Sequence, residues 1–287
     1  MKITGAAGVY ALIGNPVAHS FSPVFWNAAF SATSMNAVYV PLPVNDDVFE
    51  TAIKGLICLG IQGFNITKPY KERIVPMIDA FVGPAEKIGS VNTVKCLKNG
   101  RFEGANTDVF ALLALLENLP PVKTALLLGA GGAARAVLWG LCTKSVEMIY
   151  WTNRHEDRAR NPFAEYDDRI RYVPWNTEAM KRAMQEADLV INATTLGWNT
   201  GDDLPLLREA LSSRHTYLDL NYSRCSQLIR RAQEAGATTI DGTEFLLQQG
   251  AKAFEYLTGA SAPVSVMRQS IQDCFPQHFS HKEGSPS

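Results

Sequence analysis

The segment TALLLGAGGAAR (124–135) constrains the fold more than any other part of this chain. An apolar run leads into Gly129-Ala130-Gly131-Gly132-Ala133-Ala134, and a helical pattern follows. This is the G-x-G-x-x-G/A arrangement in a strand–turn–helix context. One glycine makes the tight turn, a second lets the backbone approach a pyrophosphate, and a small third residue lets helix and strand pack. The phosphates then rest on N–H groups at the helix start. The competing explanation is a tight turn that holds no ligand. A second strand pattern, EMIYWT (147–152), completes the unit and favours the dinucleotide reading, which makes Gly129, Ala130, Gly131, Gly132 and Ala133 cofactor-binding candidates.

The flanking pattern repeats the same unit. Strand candidates are VYALIG (9–14), AVYVPL (37–42), QGFNIT (62–67), TALLLG (124–129), EMIYWT (147–152), ADLVINAT (187–194) and TYLDL (216–220). Helical patterns fill 23–32, 46–58, 108–118, 132–143, 177–186, 226–235, 243–257 and 264–273. Strands alternating with helices imply an α/β protein with mostly parallel sheets. One stretch breaks the rhythm: Asn99-Gly100 between two short strand-like runs is a hairpin signal. With 287 residues the chain suits two lobes, and the leucine-rich helix before Pro120-Pro121 puts a boundary near 107–121.

Composition removes whole classes of function. Lys+Arg is 27 against Asp+Glu 28, so no global field favours nucleic acid or a membrane surface. No apolar run is long enough to span a bilayer, and the glycine-broken N-terminus reads as a strand rather than a signal peptide. The five cysteines form no CxxC, and the five histidines show no metal-ligand spacing, so free thiols in a cytoplasmic protein and no metal are expected. The tail HFSHKEGSPS reads as disordered.

An NAD site places a carboxylate at the end of the second strand, about 20 residues past the glycine loop. Here that place holds Thr152-Asn153-Arg154-His155, with Arg158 a turn further on. Guanidinium groups there suit a 2′-phosphate, so NADP is favoured over NAD, with Asn153, Arg154 and Arg158 as its readers. A solvated basic loop beside Glu156 and Asp157 is the alternative. Thr194, in NATT after a later strand, lies where a cofactor crosses this topology.

The first lobe offers polar groups at strand ends. In GNPVAHSFSPVFWN, Ser22 suits an N-cap and Pro23 a first helical residue, so ordinary capping explains the segment. The functional reading gives Ser20 and Ser22 a small carboxylate to bind. In GFNITKPYKE, Pro69 suits the start of a helix and puts Lys71 in its first turn, against the dipole. That favours a neutral lysine able to handle a proton. A surface lysine paired with Glu72 or Asp79 fits equally well from the residues alone. Asp108, at a helix start, is the candidate partner, although Thr107-Asp108 also reads as capping. Asn65, Thr67 and Asn92 supply amide and hydroxyl groups suited to a polyhydroxylated ligand.

Taken together, these pieces resemble the shikimate dehydrogenase family. Ser20-Phe-Ser22-Pro23 looks like its S-x-S-P segment, and Asn65-Ile-Thr67-Lys68-Pro69-Tyr70-Lys71 like its N-V-T-x-P-x-K motif. Ser90-Val-Asn92-Thr93 is similar to A-V-N-T, Asn106-Thr107-Asp108 to N-T-D, Asn192-Ala193-Thr194 to N-A-T, and Gln249-Gly250-Ala251 to Q-G-A. The resemblance implies that Lys71 and Asp108 are catalytic and that Ser20, Ser22, Asn65, Thr67, Asn92, Tyr222 and Gln249 bind substrate. It implies NADPH-dependent, reversible reduction of 3-dehydroshikimate to shikimate, a step toward aromatic amino acids. It also implies a discontinuous substrate lobe (1–107 with 242–287), a doubly wound Rossmann lobe (108–241) and a cleft between them. Monomer and homodimer both fit. His155, Trp198, the run Tyr222-Ser223-Arg224-Cys225 and Glu244-Phe245 depart from the family pattern. They leave open a relative acting on quinate or an amino-shikimate, with NAD. The presence of Lys71 and Asp108 weighs against a non-catalytic ligand sensor.

Overall fold

Two six-stranded sheets organise the computed structural model. It describes residues 3–159, 167–199, 201–202, 204, 206–222 and 226–276, with the backbone alone at 158 and 159. The chain divides into two units, Met1–Thr107 with Leu247–Ser287, and Asp108–Leu246.

In the first unit the strands are β1 (Gly8–Gly14), β2 (Ala37–Pro43), β3 (Ile61–Ile66), β4 (Ala80–Val82), β5 (Thr93–Cys96) and β6 (Phe102–Ala105). Their order is β2-β1-β3-β5-β6-β4. β1 pairs in parallel with β2 and β3, whereas β5 pairs antiparallel with β3 and β6. β1 is apolar and almost wholly buried, as a central strand must be. β2 carries Pro41 and Pro43, which lack the N–H that an inner strand would need, and it lies on the edge. The Asn99-Gly100 turn joins β5 to β6, with Gly100 at φ +77°. Helices α1 (Ser22–Ala32), α2 (Phe49–Cys58), α3 (Ala85–Ile88) and α10 (Val264–Cys274) complete the unit, together with most of α9 (Gly242–Thr258). Helix α9 packs closely on α1: a Cβ on Gly250 would lie 2.5 Å from the Phe25 ring.

The second unit has strands β7 (Thr124–Leu128), β8 (Met148–Thr152), β9 (Ile170–Tyr172), β10 (Leu189–Asn192), β11 (Thr216–Asp219) and β12 (Thr238–Ile240). Every pairing is parallel, in the order β12-β11-β10-β7-β8-β9. The chain winds outward from β7 to β9, then crosses back to β10 and winds the other way. That is the doubly wound arrangement with its switch point between β7 and β10. Helices α4 (Asp108–Leu116), α5 (Gly132–Cys142), α6 (Glu178–Glu186), α7 (Leu206–Ala210) and α8 (Gln227–Glu234) accompany it. Residues on β7 alternate between two cores. Ala125 and Leu127 join Trp151 and Ile191 on one face, while Leu126 and Leu128 join Val190 and Tyr217 on the other.

The α/β class expected from the alternation is the class observed. The short elements β4, β9, β12, α3 and α7 had no counterpart in the sequence reading, because three to five residues carry too little periodicity to register. Among the described residues, no helix is long and apolar enough to cross a membrane.

Candidate active site

In the first unit Asn65, Thr67, Lys71 and Asn92 lie together by the carboxyl end of β3. Asn65 ends the polar side of β3 and is buried, with 7% of its surface exposed. Its amide nitrogen donates to Asn92 O at 3.2 Å and Thr93 Oγ1 at 2.9 Å, and its Oδ1 accepts from the Tyr39 hydroxyl at 2.9 Å. Asn92 is buried too. Its Oδ1 accepts from the Thr107 main chain at 2.8 Å and from Thr93 Oγ1 at 3.0 Å, while its Nδ2 donates to Thr107 Oγ1 at 3.0 Å. Buried amides so engaged hold one orientation, because rotating either would leave polar groups unpaired. Thr67 is fixed by its N–H to Ile13 O at 2.8 Å, and its methyl fills the space above Gly14.

Lys71 stands differently from expectation. No α-helix starts at Pro69: the Lys68–Pro69 peptide is cis, residues 68–74 run through turns, and a 3-10 turn follows at Val75–Met77. Tertiary contacts shape this segment. Tyr70 is buried, stacks on Phe49 at 4.2 Å and donates its hydroxyl to Val44 O at 2.7 Å. Arg73 holds Asp46 at 2.6 Å and Glu50 at 2.8 Å. No helix N-terminus stands behind Lys71, so the dipole argument does not apply to it. Its carbonyl instead accepts from Val91 N at 2.8 Å, which staples Lys71 to the residue before Asn92. Lys68 is half-buried, and burial lowers the pKa of its ammonium group. His19 is likewise lowered, first by burial and then by the charge of Lys68.

Ser22 is not the N-cap of α1. Phe21 holds that position without a side-chain bond, Pro23 is the second helical residue, and Ser20 Oγ accepts the Ser22 N–H at 3.2 Å. Ser22 is buried and Ser20 half-buried. Gln249 lies half-buried on α9, next to Gly250.

In the second unit Asp108 opens α4 and is 1% exposed, directly after the engaged Thr107. The glycine loop joins β7 to α5. Gly129 has φ +113°, and a Cβ there would lie 2.8 Å from Ala193 O, so glycine alone fits between β7 and the loop after β10. Its N–H donates to Thr152 O at 2.8 Å. These contacts bring the glycine loop, the end of β8 and Thr194 together. Gly131 differs: it is the N-cap of α5, it has no side chain with which to cap the helix, and a Cβ there would meet nothing within 4 Å. Open space over uncapped helix N–H groups is what a pyrophosphate cradle requires. Ala130 is buried beneath the loop, while Gly132 and Ala133 open α5 half-buried. Asn153 donates to His155 O at 2.8 Å and Arg154 is exposed, with no acidic residue at the strand end. The side chain of Arg158 and all of Arg224 lie outside the described residues. Tyr222 follows β11, and its ring meets Trp198 edge-on at 5.3 Å.

Sequence reasoning missed Tyr39, Thr93, Asp219, Asn221 and Ser226, which hold candidate residues or their loops in place. Tyr39 reads as one more strand aromatic. Asp219 did leave a trace, as a lone acid ending an apolar strand.

Three family descriptions match the chain: "Shikimate dehydrogenase substrate binding domain" over residues 12–94, "Shikimate / quinate 5-dehydrogenase" over 116–198 and "Shikimate 5'-dehydrogenase C-terminal domain" over 242–272. A curated shikimate dehydrogenase (NADP(+)) from Desulforamulus reducens is 39% identical, covering 94% of this chain and 96% of its own. The crystal structure of shikimate dehydrogenase from Aquifex aeolicus matches with a TM-score of 0.85 at 33% identity, over 95% of this chain and 100% of that one. A shikimate dehydrogenase in complex with NADP+ matches with a TM-score of 0.85 at 34% identity, over 95% and 97%.

Proposed function

Because this chain belongs to the shikimate dehydrogenase family, we propose that it interconverts 3-dehydroshikimate and shikimate with NADP(H). The observation that carries the reading is the buried network of Tyr39, Asn65, Thr93, Asn92 and Thr107. It fixes amide and hydroxyl groups at the sheet end beside Lys71, where a polyhydroxylated ring needs them. Asp108 follows in the chain.

Lys71 and Asp108 hold and move the proton at the C3 oxygen. In reduction that oxygen gains a proton as the carbonyl carbon gains hydride, and in oxidation the lysine receives the proton back. A positioned acid/base contributes about 10²–10⁴ in rate. Ser20 and Ser22 donate to the substrate carboxylate, with help from N–H groups at the start of α1. Asn65, Thr67, Asn92 and Gln249 bind ring hydroxyls, and Tyr222 is a further substrate-binding residue.

NADPH, when bound, supplies the hydride. The residues present fit it. Gly129, Ala130, Gly131, Gly132 and Ala133 receive the pyrophosphate at the uncapped start of α5. Asn153 and Arg154, with Arg158, bind the 2′-phosphate, since the strand end has no acid to take ribose hydroxyls. Thr194 lies past the switch point.

The test is absorbance at the NAD(P)H band, with shikimate and quinate each offered NADP⁺ and NAD⁺. Rapid turnover with shikimate and NADP⁺ alone is expected. Turnover with quinate or NAD⁺ instead would redirect substrate or cofactor, and silence in all four would overturn the reading.

A further inference from the structure

A dinucleotide lies across the carboxyl ends of a doubly wound sheet, one mononucleotide half on each side of the switch point. The glycine loop after β7 and the arginine after β8 belong to the adenosine half. The loops after β10 and β11 are left for the nicotinamide half, and a hydrogen-bond network around the buried Asp219 ties them together.

Asp219 ends β11, opposite Asn192 at the end of β10 in the parallel register. It is 0% exposed. Its Oδ1 accepts from Asn192 Nδ2 at 3.0 Å and from the Asn221 main chain at 2.9 Å, and its Oδ2 accepts from Ser226 Oγ at 2.9 Å. Asn192 carries the connection into its own loop. Its Nδ2 also donates to Leu196 O at 2.9 Å, and its Oδ1 accepts from Thr194 N at 3.1 Å and Thr194 Oγ1 at 2.6 Å. Asn221 closes the circuit, donating through Nδ2 to Thr194 O at 3.1 Å and Leu196 O at 2.8 Å. Beyond the network, Trp198 from one loop meets Tyr222 from the other.

The donors to Asp219 among the described residues are all neutral. Burial outweighs them and pushes its carboxyl up to about 7. An apolar strand end that needed only packing would not carry so costly a group. A local rule broken at a ligand-facing strand end marks a functional constraint.

We propose that Asp219 is a positioning residue for the nicotinamide half of the cofactor: without touching it, Asp219 holds the loops at 192–198 and 219–222 in the shape that receives it. This rests on the NADP(H) reading above.

The test compares Asp219→Asn with the wild type by calorimetric titration of two probes. NADP⁺ fills both halves of the site, and adenosine 2′,5′-bisphosphate fills the adenosine half alone. Asp219→Asn weakens NADP⁺ binding and lowers kcat/KM for NADPH by about ten- to a hundred-fold, the scale of a small misplacement at a reacting centre. Binding of adenosine 2′,5′-bisphosphate holds. Equal weakening of both probes, or of neither, overturns the proposal. Should Asp219→Asn fail to fold, Ser226→Ala removes one of those donors and gives the same split between probes at smaller size. No split there overturns the proposal as well. A wild type that binds neither probe overturns the NADP(H) reading itself, and this proposal with it.

Discussion

Two glycines of one loop, Gly129 and Gly131, respond oppositely to alanine. At Gly129 the backbone has φ +113°, and the new Cβ would lie 2.8 Å from Ala193 O and 2.9 Å from Ala193 C. The backbone term is about 1–3 kcal/mol. The overlap adds about 1–3 kcal/mol, since it falls on main chain rather than a flexible side chain. Ala193 cannot retreat freely, because its N–H is bonded to Leu128 O at 2.9 Å. Gly129→Ala therefore loses about 2–6 kcal/mol, and its Tm falls by roughly 5–20 °C. At Gly131 φ is −83° and nothing lies within 4 Å of the added methyl. Alanine is the poorer N-cap by up to about 1 kcal/mol. The reduced freedom of the unfolded chain returns about 0.4–1 kcal/mol. Gly131→Ala thus keeps the wild-type Tm without ligand, yet its methyl occupies space assigned to the pyrophosphate. Its Kd for NADP⁺ rises at least about ten-fold. Scanning calorimetry with and without NADP⁺ reads both effects. A Gly131→Ala protein that melts as early as Gly129→Ala, or binds NADP⁺ as tightly as the wild type, would refute this assignment of the loop.

Three further outcomes are expected. Lys71→Ala loses about 10²–10⁴ in kcat at unchanged Tm, whereas Lys68→Ala loses less; the reverse ranking would pass the proton-handling role to Lys68. Tyr39→Phe leaves the buried Asn65 Oδ1 without its hydroxyl donor, lowering stability by about 1–3 kcal/mol in urea unfolding and raising the KM for shikimate more than that for NADP⁺. An unchanged KM would show that Asn65 does not need Tyr39 to orient it. The Arg169 guanidinium holds Asp167 down to about 2 from 3.8, chiefly through its hydrogen bonds. A folded-state value below the unfolded one stabilises the fold above pH 3.8 and is lost as pH falls toward 2. Asp167→Asn removes that slope and costs at most about 2 kcal/mol at pH 7; an unchanged acid limb in urea midpoints would refute it.

Much of the fold was legible because its causes are local. ALLL (125–128) and LVI (189–191) are apolar throughout, as strands covered on both faces are, and Gly129 follows the first immediately where the chain must turn. Asn99-Gly100 announces its hairpin in two residues. The candidate site was legible in its residue types, because amides, hydroxyls and one lysine sit at strand ends. Their settings were not. The segment at 68–74 carried helix-start chemistry, yet the burial of Tyr70 against Phe49 and the grip of Arg73 on Asp46 and Glu50 folded it into turns. Packing across separated segments outweighs a propensity worth a fraction of a kcal/mol per residue.

The sequence by itself determined the alternation of strands and helices, the glycine loop in its context and the roll of polar residues at strand ends. Each depends on neighbours a few positions away, where sterics and periodicity act directly. Only the tertiary structure decided that Tyr39 orients Asn65, that Val91 staples Lys71, and that Asn192 faces Asp219 across adjoining strands. Those pairings join residues 20 to 27 positions apart, and a hydrogen bond forms only once folding brings donor and acceptor within about 3 Å.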